Sequence, residues 1–357
     1  MTSPSVKTDQ TLHDRRIKQI VPLATPAELL AEQPLSQPAA GFVLRSREEV
    51  TAILDREDPR LLVVVGPCSV HDPIAALDYA TRLAALAAEL PDLLVVMRVY
   101  FEKPRTTTGW KGLINDPHLD NSGDVNTGLR TARDLLLHVL GTGLPIGCEY
   151  LDPITPQYIA DTVAWGAIGA RTTESQTHRQ LASGLSMPIG FKNRTDGNVG
   201  VAVDALRAAA AEHSFAGVEL SGGSAILRTA GNDDCHLILR GGRGTTNFDP
   251  DSIAGTLAAL RTVGLPERVI VDASHDNSGK DEQRQPAVAA AIGEQVAAGN
   301  GAIVGVMLES FIVGGRQDLG EQLTYGQSVT DSCMDWETTV AVLRGLDEAS
   351  RARRDAA

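Results

Sequence analysis

The stretch "LLVVVGPCSVHDP", residues 61–73, runs from an unbroken apolar segment through Gly66-Pro67 to an Asp-Pro pair. A short valine-rich run without polar alternation suits a strand buried on both faces, as in a parallel sheet. Asp72 before Pro73 is a helix start. The carboxylate caps free N–H groups, and the proline is already fixed at helical φ. Ile74, Leu77, Leu83, Leu86 and Leu90 then recur at helical spacing. Strand, turn and helix stand in a row, with a cysteine at the turn. Cys68 reads two ways: a small core residue, or a soft metal ligand at a strand end.

The same unit recurs along the chain. Strand-like runs follow at 93–100 ("LLVVMRVY"), 144–150 ("LPIGCEY"), 166–171 ("GAIGAR") and 187–192 ("MPIGFK"). Three more stand at 235–242 ("CHLILRGG"), 268–275 ("RVIVDASH") and 302–310 ("AIVGVMLES"). Helical segments lie between them, and Thr155-Pro156, Asp249-Pro250 and Asp335 repeat the start signal. Eight strands alternating with helices predict an α/β fold, a (β/α)8 TIM barrel. A doubly wound open sheet is the alternative.

Two segments exceed a bare barrel. Residues 1–55 are polar, are punctuated by Pro22, Pro26, Pro34 and Pro38, and form an N-terminal arm. An arm of this kind is expected to lie on the barrel or on a neighbouring subunit. Residues 56–357 are expected to form the barrel itself. Within them, 215–229 read as an extra β-hairpin around Ser221-Gly222-Gly223, between barrel strands five and six.

Composition removes several function classes. The chain has 32 Lys and Arg against 45 Asp and Glu, a net charge of −13, which argues against a nucleic-acid footprint. No apolar run is long enough to span a membrane, and the first residues lack the apolar core of a signal peptide. The four cysteines have no paired spacing, so a reducing cytoplasm is expected rather than a disulfide framework.

In barrel enzymes the C-terminal ends of the strands carry the chemistry. Here those ends hold Cys68, Arg98, Glu149, Arg171, Lys192, Arg240, His275 and Glu309. Any one of them is an ordinary surface or capping residue. Eight together crowd one mouth with charge, which is costly unless ligands or ions balance it. Arg98, Lys103, Arg105, Arg171, Lys192 and Arg240 imply one or two small substrates with several negative charges. Cys68, His275, Glu309 and Asp331 make a mixed donor set for Zn, Fe, Co or Cu, and the carboxylates also admit Mn. Cys148, Cys235 and Cys333 read as small buried residues. His71, His118, His178, His213 and His236 read as capping, surface or core histidines.

These residues stand in longer motifs. "GPCSVHDP", "MRVYFEKPRTTTGWKGLINDP", "GARTTESQTHRQLASGLSMPIGFKN", "VDASHDNSGK", "GVMLES" and "YGQSVTDSCMDWE" resemble the type I, aromatic-amino-acid-regulated 3-deoxy-D-arabino-heptulosonate 7-phosphate (DAHP) synthases. The resemblance runs in order from residue 14 to the last helix. It implies a transferase that condenses phosphoenolpyruvate with erythrose 4-phosphate and water, releasing phosphate, as the first step of the shikimate pathway. It implies metal ligation by Cys68, His275, Glu309 and Asp331, with Mn2+, Fe2+, Co2+ or Zn2+ as the ion. It implies phosphoenolpyruvate binding by Arg98, Arg171, Lys192 and Arg240 with Ala170. Lys103, Pro104, Arg105 and Thr106 match the loop for erythrose 4-phosphate. Lys103, Glu149, Lys192 and His275 are the implied catalytic groups, Glu149 ordering a water. In the expected mechanism the metal polarises the aldehyde, and the enol carbon attacks it.

The resemblance also implies a feedback site for an aromatic amino acid. Tyr150, Pro153, Gln157, Leu185, Ser186, Phe215 and Gly217 match its positions, and Pro153 with Gly217 leans toward tyrosine. The hairpin "VELSGGSAI" lacks the Trp and His of the more usual "TKWGHSAI". The family's arm contacts a second subunit, so a homodimer or homotetramer is expected. Three alternatives stay open: an isoenzyme dedicated to secondary metabolism, a non-catalytic aromatic-amino-acid-binding relative, and a sibling using arabinose 5-phosphate. "KPRTTTGW" favours erythrose 4-phosphate over the last.

Overall fold

The computed structural model describes residue 12, residues 14–105 and residues 109–356. Its strands are β1 (Leu61–Gly66), β2 (Leu93–Arg98), β3 (Ile146–Glu149), β4 (Trp165–Ile168), β5 (Ile189–Lys192) and β6 (His213–Val218). They continue with β7 (Ser224–Thr229), β8 (His236–Leu239), β9 (Val269–Asp272), β10 (Ile303–Glu309), β11 (Val313–Arg316) and β12 (Gln327–Ser328). The helices are α1 (Pro26–Glu32), α2 (Gln37–Leu54), α3 (Pro73–Ala87), α4 (Val125–Gly141) and α5 (Pro156–Ile159). After them come α6 (Gln176–Ala182), α7 (Gly200–Ala209), α8 (Pro250–Thr262), α9 (Gln285–Ala297) and α10 (Trp336–Ala356).

Eight parallel strands close in the order β1-β2-β3-β4-β5-β8-β9-β10, and β10 pairs back onto β1. The expected (β/α)8 barrel is therefore the observed fold, and the open sheet is excluded. The strands are buried along their length, which is why the sequence shows continuous apolar runs there. β6 and β7 pair as an antiparallel hairpin between the fifth and sixth barrel strands. It begins at His213, two residues before the expected start.

Side chains alternate across each strand. Leu62, Val64, Leu94, Val96, Trp165, Ala167, Ile238, Ile270, Val304 and Met307 turn inward and form one buried cluster. Val50, Ile53 and Leu54 of α2 belong to that cluster, so α2 plugs the N-terminal end of the barrel. Arg47 of α2 donates to the carbonyls of Val163 and Ala160, and Asp55 pairs with Arg268. α1 starts at a capping box between Thr25 and Glu28, and the Ala27 N–H donates to Leu220 O of the hairpin turn.

Asp72 and Asp249 cap α3 and α8 as expected, and Asp335 Oδ1 accepts from Thr338 N at the start of α10. Thr155 does not cap. It is itself helical (φ −49°) with no side-chain cap bond, and α5 is a single turn.

Candidate active site

Alternation carries five of the inward rows from apolar to charged. Val96 is followed inward by Arg98, Gly190 by Lys192, Ile238 by Arg240, Ile270 by Asp272 and Met307 by Glu309. Arg98, Glu149, Lys192 and Glu309 are the last residues of their strands. The other expected strand-end residues lie just beyond. Arg240 is one residue past β8 and Cys68 two past β1, while Arg171 and His275 are three past β4 and β9. Strands shorter than their apolar runs move these side chains from the wall to the rim.

One pocket at this mouth is lined by Arg98, Lys103, Pro104, Glu149, Ala170, Arg171, Lys192, Arg240, His275 and Asp331, together with Gly169, Thr195 and Lys280. Arg105 is exposed on the adjoining loop, its Nε donating to Trp110 O at 2.7 Å. Thr106 lies outside the described residues.

Most of these cations are held by acids. Arg98 is buried, donates from Nη2 to Glu309 Oε1 at 3.0 Å, and stacks 3.7 Å above the Tyr100 ring. Its guanidinium also donates to the carbonyls of Pro67 and Cys68. Gly66 permits this approach, because a Cβ there would lie 2.5 Å from Arg98 O. Lys192 Nζ donates to Asp272 Oδ2 at 2.9 Å, and Arg240 Nη1 meets Asp276 Oδ2 at 2.5 Å. Lys103 and Lys280 approach Asp331 at 3.7 and 3.9 Å. Arg171 is exposed and has no carboxylate partner among the described residues. Glu149 fits against Gly169, whose added Cβ would come 2.1 Å from Glu149 Oε1.

Cys68, Glu309 and Asp331 bring their ligand atoms within 4.8 Å of one another. Asp331 N donates to Cys68 Sγ at 3.4 Å, and Cys68 N to Cys333 Sγ at 3.3 Å. His275 stands beside this trio, with Nε2 3.8 Å from Glu309 Oε1. Its backbone is left-handed, φ 53°, a conformation that costs a non-glycine residue and gathers at functional sites. Burial, with Glu309 and Asp331 nearby, pushes the Cys68 thiol up to about 11. Burial also opposes ionisation of Glu309 and Asp331, yet neighbouring cations hold both carboxyls below their usual range. A thiol, two carboxylates and an imidazole around one point suit a borderline divalent ion, which would displace the thiol proton.

Three participants escaped the sequence reading. Asp272 lies inside the apolar run "VIVD", three residues before the His275 that drew attention. It is fully buried, and although burial alone would raise its pKa, His275 and Lys192 hold it well below the usual carboxylate range. Asp276 and Lys280 follow in the same loop, within the quoted motif.

Of the expected regulatory residues, Gln157, Leu185, Ser186 and Phe215 line one cleft beside the hairpin, with Leu181, Ile226 and Arg228 among its other walls. Tyr150 is fully buried, and its hydroxyl has no hydrogen-bond partner among the described residues. Gly217 fits under Leu227, which an added Cβ would meet at 2.6 Å. Pro153 is exposed. No helix among the described residues is long and apolar enough to cross a membrane.

Comparison with known proteins agrees with this architecture. Residues 39–344 match the model of the DAHP synthetase I family. The chain is 56% identical over 344 residues to the Phe-sensitive phospho-2-dehydro-3-deoxyheptonate aldolase of Escherichia coli strain K12, covering 96% of this chain and 98% of that one. It is 53% identical over 330 residues to the Tyr-sensitive enzyme of the same strain, covering 91% and 92%. The solved phospho-2-dehydro-3-deoxyheptonate aldolase of Francisella tularensis SCHU S4 superimposes with a TM-score of 0.93 at 50% identity, over 95% of this chain and 99% of that one. The chain belongs to the DAHP synthetase I family.

Proposed function

We propose that this chain is a 3-deoxy-7-phosphoheptulonate synthase, a transferase joining phosphoenolpyruvate, erythrose 4-phosphate and water into DAHP and phosphate. One observation carries the reading: a cation-lined pocket and a thiol–carboxylate trio share one barrel mouth. Phosphoenolpyruvate brings a carboxylate and a phosphate. Arg98, Arg171, Lys192 and Arg240, with Ala170 beside them, clamp these groups and fix the enol carbon. The acids that now pair Arg98, Lys192 and Arg240 keep those side chains extended toward the mouth before substrate arrives. Lys103, Pro104, Arg105 and Thr106 hold the phosphate of erythrose 4-phosphate, leaving its aldehyde over the trio. Cys68, His275, Glu309 and Asp331 hold the divalent ion, for which Mn2+, Fe2+, Co2+ and Zn2+ are the candidates. When bound, the ion supplies Lewis-acid polarisation of a carbonyl oxygen. Glu149 orients the water that adds at C2 of phosphoenolpyruvate, and phosphate leaves by C–O cleavage. Holding both substrates in register supplies much of the rate.

The test is phosphate release from phosphoenolpyruvate with erythrose 4-phosphate or arabinose 5-phosphate, with and without chelator. Chelator-sensitive release with erythrose 4-phosphate is expected; none with either aldehyde defeats the reading.

The cleft beside the hairpin is the proposed effector site for an aromatic amino acid. Its walls, Leu181, Leu185, Phe215 and Ile226, suit a ring, and Pro153 with Gly217 leans toward Tyr over Phe and Trp. Inhibition by Tyr but not by equal concentrations of Phe or Trp is the expected result, and insensitivity to all three would remove the assignment. The arm is proposed to contact a second copy in a homodimer or homotetramer. Leu12, Ile17, Ile20 and Val21 are exposed along it and support that role.

A further inference from the structure

Asp272 ends β9 with no exposure to solvent. Its Oδ2 accepts from Lys192 Nζ at 2.9 Å and lies 2.9 Å from His275 Nδ1. Its Oδ1 accepts from Ser274 Oγ at 2.6 Å and from Ser274 N at 3.0 Å. Ser274 Oγ also lies 2.7 Å from His275 Nδ1. One carboxylate oxygen is therefore shared between a phosphoenolpyruvate cation and an imidazole of the donor set.

We propose that Asp272 is a positioning residue that holds Lys192 and His275 in register, so that anion binding and metal binding depend on one carboxylate. The inference rests on the proposed synthase reading and adds a residue to it. An imidazole nitrogen facing a buried carboxylate carries the proton, which leaves the Nε2 lone pair free. Nε2 is the nitrogen on the Glu309 side, where Cys68 and Asp331 converge. A carboxylate behind a ligating histidine fixes the ring and its tautomer. The tie also steadies a left-handed backbone that is uncommon for any residue with a side chain. Lys192 needs it for another reason. Its ammonium sits on a flexible stem, and one of its three donors given to Asp272 leaves two for a bound anion. A carboxylate serving only as counter-charge to Lys192 would not require the second contact, nor the Ser274 hydroxyl that bridges carboxylate and ring.

The experiment uses the full chain freed of metal. Mn2+ is titrated into the parent first, and phosphoenolpyruvate binding is measured without metal. No Mn2+ binding by the parent would overturn the metal reading itself, and this inference with it. Given binding, Asp272→Asn is expected to raise the Mn2+ Kd by about 10- to 100-fold. It is also expected to raise the metal-free phosphoenolpyruvate Kd by about tenfold, the worth of one charge-assisted hydrogen bond. At saturating Co2+ the variant should keep the thiolate-to-metal absorption from Cys68, since that ligand is untouched. Ser274→Ala should raise the Mn2+ Kd by about threefold and leave metal-free phosphoenolpyruvate binding unchanged. An unchanged Mn2+ Kd or an unchanged phosphoenolpyruvate Kd in a folded Asp272→Asn overturns the proposal. Should that variant fail to fold, an unchanged Mn2+ Kd in Ser274→Ala overturns it.

Discussion

The two ends of this barrel solve opposite problems with the same eight strands. At the N-terminal end, Val50, Ile53 and Leu54 of α2 meet Leu62, Leu94, Trp165 and Val304 in an apolar plug. Its buried imidazole, His236, is neutral, accepting from Trp165 Nε1 at 3.0 Å, with burial pulling its pKa down to about 3. At the C-terminal end the same rows finish in Arg98, Lys192, Asp272 and Glu309, all buried and all charged. Buried ion pairs seldom add net stability, whereas buried apolar side chains do. One end is therefore built for folding and the other for ligands.

The largest test removes a charge from the mouth. Arg98→Met should lower kcat/KM by about 10²- to 10³-fold, as loss of a preorganised charge stabiliser does. It also strands Glu309 without its guanidinium, at about 3–5 kcal/mol in metal-free protein by denaturant unfolding. Next comes the plug. Ile53→Ala should cost about 2–5 kcal/mol while kcat/KM stays at the parent value. If Ile53→Ala damaged turnover as Arg98→Met does, the division between the ends would collapse.

The ends should also differ in pH response. His236 has a folded pKa of about 3 against an ordinary value of 6.5, so the unfolded chain binds more protons between them. Stability from that site is present above 6.5 and lost as pH falls toward 3. Glu102, next to Lys103, is pushed up to about 8 by burial and by Asp152, against an ordinary value of 4.5. There the folded chain binds more protons, so stability is present below 4.5 and lost as pH rises through 8. His236→Gln should flatten the acid limb of unfolding free energy against pH, and Glu102→Gln the alkaline limb. Unchanged limbs in both variants would remove these groups from the comparison.

The smallest effect separates caps at the mouth. Asp249→Ala should cost about 1 kcal/mol, because Asp249 accepts from Ser252 N at 2.9 Å. Thr155→Val, which keeps the buried shape of the side chain, should cost less than Asp249→Ala, since no cap bond exists to lose. Equal losses in thermal unfolding would mean that Thr155 caps in solution.

Much of this was legible because it is local. Each barrel strand announced itself as an apolar run, and Asp72, Asp249 and Asp335 announced helix starts within three residues. The cations and donors were legible as polar residues ending those runs. What escaped depends on closure. Nothing near Ile53 says that its partners are Leu94 and Val304, and nothing in "VIVD" says that Asp272 faces Lys192, 80 positions earlier. Thr155 failed for a different reason: a Thr-Pro pair offers a cap, but the backbone there is already helical.

The plug also bears on how the chain is made. α2 leaves the ribosome before any strand, yet the buried cluster it joins draws residues from β1, β2, β4, β8, β9 and β10. That cluster is not complete until the last of these has been synthesised and β10 has closed onto β1. Through most of translation, then, Val50, Ile53 and Leu54 form an apolar face without its full cover. Such a face is a natural handle for a chaperone, and a liability when expression outruns one.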